Sequence, residues 1–439
     1  MSSSSHDRRV VITGLGLISP LGNTPAALWT ALAAGKSGVA TTTLIPNSGQ
    51  PMTIAAEARD FTGEIEDFGP LEKERKKAIK KGLKVMCRET RMAVAAAQLA
   101  IADAGFAETP MDPEMSGVVL GSDYMLTMPE DYSAGMKTCA PEGEFEFTKW
   151  GKEGLGDMAP LWMLKYLPNM PARHVAIYND LRGPNNSLTM REAAGNLAIG
   201  EAFRTIQRGH ANAMVAGATG TRILPMQAIH ALQTEQMAIV NGDPTKASRP
   251  FDKDRTGMVA GEGAGMIVLE EYETAKARGA TIYAEILGLG SANLADEQLH
   301  GKCDVALERA MKAALRDAGK SPSDVGHINA HGLGTTERDA DEARAIRAVF
   351  GAEPSGLHVA AFKSYFGNLG AGGGVVELIA SVLAMREGRL PRVLNYKTPD
   401  ADCPLPIVAD DSTASGRSFL NLSVTPQGQA AVLLVAAVE

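Results

Sequence analysis

The apolar residues Val10, Val11 and Ile12, with Thr13, form a short run closed by Gly14-Leu15-Gly16. That pattern predicts a buried strand followed by a turn. Thr24 before Pro25 predicts a helix start, a capping hydroxyl followed by proline at the first helical position. Leu28, Trp29 and Leu32 supply that helix's apolar face. A long helix is predicted over Leu83–Ala104, ended by Gly105 as a C-terminal glycine. Val118-Val119-Leu120 reads as the next strand. Ala140–Asp157 is charged and glycine-rich, as expected of a surface excursion, and Pro160–Asp180 reads as irregular. Ile199, Ala202, Phe203 and Ile206 recur at helical spacing and predict a helix over Ala194–Gln207. Ala213–Gly217 and Gly265–Leu269 read as buried strands, and no Pro-, Gly- or Ser-rich linker interrupts the chain.

A faint repeat runs through this pattern. Thr13-Gly14-Leu15-Gly16-Leu17 recurs as Leu287-Gly288-Leu289-Gly290-Ser291, and Leu99–Gly105 is echoed by Ala313–Gly319, each ending in Asp-Ala-Gly. Each echoed helix precedes a strand, Gly117–Leu120 and Gly326–Ala330. Two similar βα halves in one unit would account for the length without a linker. Asp-Ala-Gly helix ends are also common in alanine-rich chains, so the repeat alone leaves both readings open.

Composition narrows the class. The chain has 439 residues with 45% hydrophobic and 21% charged, a balance that buries a large core and excludes disorder as the main state. Lys plus Arg number 43 against 51 Asp plus Glu, a net charge of −8 that argues against nucleic-acid binding. The apolar run Ala430–Val438 is about half the roughly 18 residues of a membrane-spanning helix. Met1–Arg9 is polar, without the apolar segment of a secretory signal. The four cysteines, Cys87, Cys139, Cys303 and Cys403, form no CxxC pair or disulfide framework. The expectation is a cytoplasmic, reduced, metal-free protein. Gly370–Gly374 carries no phosphate-loop Lys-Ser at the required spacing and is expected to allow close helix packing.

Several motifs occur together in a fixed order. They are Arg9–Gly16, Leu181-Arg182-Gly183-Pro184, Ser248–Asp252 running on to Gly261–Gly265, Asn329-Ala330-His331-Gly332, and Lys363-Ser364 before Gly367. With them the chain resembles the β-ketoacyl-ACP synthases of the thiolase superfamily over nearly its whole length. The resemblance implies an α/β fold, a thiolase-like five-layer αβαβα sandwich of two duplicated βα halves, residues 1–270 with insertions and residues 271–439. It also implies a site between the halves and a dimer formed across it. Such enzymes condense an acyl chain with malonyl-ACP and use no cofactor. A cysteine at a helix start takes the acyl group as a thioester, because a thiolate attacks near neutral pH and leaves again. Two histidines, or a histidine and an asparagine, polarise the malonyl thioester as it loses carbon dioxide.

Three departures from that pattern stand out. Glu192 falls where the nucleophilic cysteine belongs, in Gly183-Pro184-Asn185 running on to Arg191-Glu192-Ala193-Ala194-Gly195. The first histidine position is kept as His331, but the second reads Gly367-Asn368. The carboxy-terminal glycine-rich gate loop has become Val424-Thr425-Pro426-Gln427-Gly428-Gln429. The expected catalytic-position residues are therefore Glu192, His331 and Asn368, with Lys363 and Glu262 as support and Thr425 in the gate loop. A carboxylate is a poor thioester acceptor, since the product would be a labile anhydride. An ionised Glu192 also opposes malonyl binding and enolate formation. Two like charges ~4 Å apart at an effective dielectric near 20 repel by about 4 kcal/mol, roughly a thousandfold in rate. Glu192 and His331 are expected either to form an imidazolium–carboxylate bridge closing the cavity or to act as an acid–base couple.

Glu72–Lys84 concentrates seven cations against two glutamates in an acidic chain. Lys73, Arg75, Lys76, Lys77 and Lys80 are expected to dock an acidic acyl carrier protein through complementary charge; the bland alternative is a solvated helix face. Two functional readings follow. One is a chain-length-factor-like subunit that pairs with an active ketosynthase; the assembly expected is a homodimer or a heterodimer with that ketosynthase. The other is a cysteine-independent enzyme on carrier-bound acyl groups, by malonyl decarboxylation or Glu192/His331 proton transfer. Neither reading calls for nucleic acid or membrane.

Overall fold

The structure is a computed structural model and describes residues 8–44, 52–106, 110–240, 242–352 and 356–439. Most of the polar stretch Met1–Arg9 lies outside them. Ten strands form the main sheet: β1 (Val10–Ile18), β2 (Ser116–Ser122), β3 (Asn185–Thr189), β4 (Ala213–Thr221), β5 (Glu262–Glu271), β6 (Ala284–Asn293), β7 (His327–Asn329), β8 (His358–Ala360), β9 (Ser418–Val424) and β10 (Gln429–Ala436). The principal helices packed on it are α1 (Arg88–Asp103), α2 (Met170–Asn179), α3 (Ala194–Gln207), α4 (Cys303–Asp317), α5 (Thr336–Phe350) and α6 (Gly373–Glu387).

The strand order is β8-β7-β9-β10-β6-β1-β5-β4-β2-β3, which reads the same way outward from the seam between β1 and β6. On one side β5, β4, β2 and β3 follow β1; on the other β10, β9, β7 and β8 follow β6. The pairings match as well. β2 is parallel to β3 and β4, as β7 is to β8 and β9, while the strands nearest the seam pair antiparallel. The seam is short, Val10–Ile12 against Ala284–Ile286. Such duplication of a βαβαβαββ unit is what the sequence repeat hinted at.

Strand pleat assigns the cores. Along β5, Ile267 and Leu269 face a central cluster shared with α3 and α6, while Met266 and Val268 face a cluster with α1 and α2. Along β10, Leu433 and Val435 face the central cluster, and Val432 and Leu434 face one built on α4 and α5. Both sheet faces are thus covered, as strands with continuous apolar runs require. The layers run α1/α2, sheet, α3/α6, sheet, α4/α5, the five-layer αβαβα sandwich.

The repeated glycines serve close approach, and here one expectation is corrected. Gly14 and Gly16 do not make a turn but lie inside β1, which continues to Ile18 past a bulge after Ile12. A Cβ on Gly16 would sit 2.1 Å from the Ala96 carbonyl of α1, and one on Gly290 of β6 only 1.9 Å from the Ala310 carbonyl of α4. The Asp-Ala-Gly ends match too: Asp103 accepts from the Leu15 amide and Asp317 from the Leu289 amide, each at 2.8 Å.

Two other expectations change. The helix expected over Leu83–Ala104 begins only at Arg88, because a 3-10 turn at Leu83–Val85 and the extended Met86 and Cys87 separate it from helix Lys73–Gly82. Pro160–Asp180 is not irregular throughout: it contains α2, which starts at Met170 with Pro171 in its first turn and ends at Asp180 in the left-handed region. The helix over Ala194–Gln207 and the cap of Thr24 on the Ala27 amide stand as expected.

Candidate functional site

In each half the three mutually parallel strands point their carboxyl ends at one region, where open α/β sheets place their ligands. From the first half β2 delivers Asp123, β3 runs into Met190-Arg191-Glu192, and β4 delivers Arg222. From the second, β7 delivers His331, β8 leads to Lys363 and Asn368, and β9 leads to Thr425. Arg191 takes a positive φ of 47°, a bend between β3 and the 3-10 turn Arg191–Ala193 that feeds α3. That bend turns Glu192 inward, and its side chain is 4% exposed.

Glu192 lies in a cluster of opposite charges. Arg222 Nη2 donates to its Oε1 at 2.5 Å and also contacts Asp123 Oδ2 at 2.9 Å. Asn368 Nδ2 donates to the same Glu192 Oε1 at 3.2 Å, its amide held in that sense because Gly370 N donates to Asn368 Oδ1. Arg191 Nε lies 3.4 Å from Glu192 Oε2, while Arg191 Nη2 bridges to Glu235 at 2.6 Å. Burial alone would raise the Glu192 carboxyl, but Arg222 and then Arg191 outweigh it and hold it well below the ordinary carboxylate range. Burial works against the Arg222 cation, yet Glu192 and Asp123 keep it charged. Asp123 is pushed up by burial in spite of Arg222. Tyr124 completes this wall, its hydroxyl bonded to His230 Nδ1 and 3.4 Å from Arg222 Nη1.

His331 is set in a different environment. Its backbone amide and that of Gly332 donate to the Glu342 carboxylate at 2.6 and 2.8 Å, which fixes the turn after β7. Lys363 Nζ lies 3.3 Å from His331 Nδ1 and pairs with Glu377 Oε1 at 2.6 Å. An ammonium only donates, so Nδ1 accepts and the ring proton sits on Nε2. Burial, reinforced by Lys363, holds the imidazole well below its ordinary value, so it is neutral. Of the two arrangements expected, the imidazolium–carboxylate bridge is not formed: the ion pairs of Glu192 go to Arg191 and Arg222. His331 is uncharged, and Glu192 is paired with Arg222 instead.

Behind these groups a buried polar chain joins the halves. Asn329 donates to Glu377 and to Asn421, Asn421 donates to Asn196 of α3, and Asn196 donates back to the carbonyls of Asn421 and Ala431 at 2.9 and 3.0 Å. These contacts tie the base of the β9–β10 hairpin to the helix that follows Glu192. The hairpin tip is tight: Gly428 N donates to Thr425 O and Thr425 N to Gln429 O, and Thr425 is buried. Gln427 Oε1 accepts from Arg191 at 3.4 Å, so the loop rests on the charge cluster. Gly372 lies against Gly263, where a Cβ would be 2.2 Å from the carbonyl, the close packing expected of Gly370–Gly374.

The structure thus brings Glu192 to Asn368, and His331 to Lys363. Glu262 is apart from them, bound by Arg88 at 2.6 and 2.7 Å near the start of α1. Lys73, Lys76, Lys77 and Lys80 project into solvent from helix Lys73–Gly82, Arg75 is half-buried, and Ile79 anchors the helix. All four cysteines are free and buried. Burial pushes the Cys87 thiol well above its ordinary value, Cys303 up to about 11 and Cys403 up to about 12. Asp123, Arg191, Arg222, Asn196 and Glu377 escaped the sequence reading. Their signal is a lone polar or charged residue in or just after an apolar, small-residue run.

The chain matches the family described as beta-ketoacyl synthase, N-terminal domain, over residues 7–275, and the beta-ketoacyl synthase C-terminal domain over residues 283–397. It is 36% identical over 412 residues to a 3-oxoacyl-[acyl-carrier-protein] synthase 2 of Synechocystis, covering 93% of this chain and 92% of that one. To the protein of the same name from Coxiella burnetii it is 37% identical over 413 residues, 92% of each. Among solved structures it resembles the ishigamide ketosynthase/chain length factor, with a TM-score of 0.81 and 28% identity over 98% of this chain and 100% of that one. It is similar to a type II polyketide ketosynthase solved with its acyl-carrier protein, at a TM-score of 0.81 and 29% identity over 98% and 100% of the two chains. A beta-ketoacyl synthase from Burkholderia phymatum superposes at 0.83, with 28% identity and the same coverage. Among the described residues no helix is long and apolar enough to cross a membrane.

Proposed function

Because the chain belongs to the beta-ketoacyl synthase family, we propose that it handles acyl groups on a carrier protein without condensing them through a cysteine thioester. In this reading Glu192 stands at the nucleophile position, His331, Asn368, Lys363 and Glu262 keep their family positions, and the chain pairs with an active ketosynthase as a chain-length-factor-like subunit. The two halves are taken as residues 1–270 and 271–439, supported by the matching strand orders on either side of the seam.

One observation carries the proposal: Glu192, buried at the start of α3, is held ionised by Arg222 at 2.5 Å. An anion fixed there cannot serve as an acyl acceptor and repels the carboxylate and enolate of a decarboxylating malonyl group. A carboxylate held so far below its ordinary range is also a weak base, which disfavours Glu192/His331 proton transfer. The four thiols are all buried, and burial holds those of Cys87, Cys303 and Cys403 above their ordinary value, so they offer no replacement nucleophile.

Intact-mass analysis of the purified chain with acyl- and malonyl-carrier protein, alone and with a ketosynthase from the same cell, tests this. The expected result is no acyl adduct and no carbon dioxide release by the chain alone, and a stable complex with the ketosynthase. An adduct on the chain, or decarboxylation abolished by Glu192→Ala, overturns it in favour of an enzyme.

A further inference from the structure

Glu192 and His331 present buried atoms of opposite hydrogen-bonding sense that no hydrogen bond within the chain satisfies. His331 Nε2 is buried without a partner, and the Lys363 contact at Nδ1 makes Nε2 the donor nitrogen. Glu192 Oε2 is buried and accepts no hydrogen bond; its neighbour Arg191 Nε, at 3.4 Å, is itself without a hydrogen-bond partner. No ion pair joins Glu192 to His331. A buried donor and a buried acceptor left unsatisfied are costly, which makes the pair selective for a group that meets both needs.

We propose that this pair recognises a hydroxyl group on a bound acyl chain, the oxygen accepting from His331 Nε2–H while the proton is donated to Glu192 Oε2. The selection follows from the chemistry of the competing groups. A ketone oxygen satisfies His331 but only accepts, so it meets the Glu192 anion with a lone pair. A carboxylate is repelled outright, and a saturated chain leaves both polar atoms unpaired. Of these acyl groups the alcohol alone supplies one donor and one acceptor on a single atom. Glu192 is thus a specificity-determining residue. The inference rests on the reading that carrier-type thioesters enter this site, and it adds the class of acyl group.

The test measures binding of 3-hydroxybutyryl-, acetoacetyl- and butyryl-pantetheine thioesters to the full chain by calorimetry. One charge-assisted hydrogen bond predicts at least ~10-fold tighter binding of the hydroxyacyl thioester than of either competitor. Glu192→Gln, whose amide can donate, should bring the acetoacetyl thioester to within ~2-fold of it. His331→Ala should weaken the hydroxyacyl and acetoacetyl thioesters alike, and circular dichroism checks that both variants are folded. Equal affinities for all three thioesters in the wild type overturn the hydroxyl assignment and leave the wider reading intact. Binding of none of them, to the chain alone or with a ketosynthase, counts against the wider reading itself.

Discussion

Replacing Arg222 would leave two carboxylates, Glu192 and Asp123, facing each other in the protein interior with Arg191 as their remaining nearby cation. Arg222 is 1% exposed, so solvent cannot take over its role. Breaking a buried ion pair by removing one partner costs about 3–5 kcal/mol. Arg222→Met, which keeps the volume, should lower unfolding stability by that amount in urea titration. Glu192→Gln should cost less, since Arg222 keeps Asp123 at 2.9 Å. A loss below about 1 kcal/mol for Arg222→Met would show that the cluster does not hold the site together. This balance was half legible in the sequence. Glu192 could be placed because motif spacing fixes the start of α3, but its partner arrives from the end of a different strand, 30 residues further on. Without knowing that β2 and β4 are parallel neighbours, nothing in the sequence places Asp123 beside Arg222. The Asn-Ala-His-Gly motif locates His331 after its strand, but its charge state is not legible there, because burial and Lys363 act on it only in the folded chain.

The elements show a similar division between local and nonlocal information. Helix α3 could be read from its own periodicity, and Thr24-Pro25 from capping chemistry, because both signals are local. The Gly14-Leu15-Gly16 segment misled, since a glycine that punctuates a turn and one that admits a helix backbone look alike in sequence. Only the repeat at Gly288 and Gly290, before another alanine-rich helix, distinguishes them. The packing yields a matched pair of mutations. Gly16→Ala and Gly290→Ala each drive a methyl into a main-chain carbonyl that cannot swing aside, at 2.1 and 1.9 Å. Each should cost about 3 kcal/mol or more, at or beyond the usual range for overpacking. Gly156, with nothing within 4 Å of its added Cβ, should accept alanine with little change. Thermal or urea unfolding of the three variants gives the comparison. Equal effects at all three positions would remove close approach as the reason for the repeat.

Across the whole molecule the net charge is −8, yet helix Lys73–Gly82 carries six cations on one exposed element. Lys73, Lys76, Lys77 and Lys80 recur at three- and four-residue spacings, which gathers them on neighbouring positions of the helix surface. Mutual repulsion on that surface is unfavourable to the isolated helix. It is tolerated because Ile79 packs into the cluster with Phe61, Phe68 and Met86 and holds the helix down. A positive patch on an acidic body attracts an acidic partner while the rest of the surface repels it, so it orients the encounter as well as speeding it. If a carrier protein docks here, Lys77→Glu/Lys80→Glu should weaken its binding ~10-fold at low ionic strength. The difference should shrink as salt is raised past ~0.1 M, where the screening length falls to about 10 Å. Both side chains are exposed, so the variant should keep its unfolding midpoint. Arg316→Glu/Lys320→Glu, at two exposed cations on the other half of the molecule, makes the same change of net charge and serves as its control. Surface plasmon resonance across a salt series measures all of these. Equal weakening by Arg316→Glu/Lys320→Glu would mean that overall charge, rather than this helix, governs the encounter.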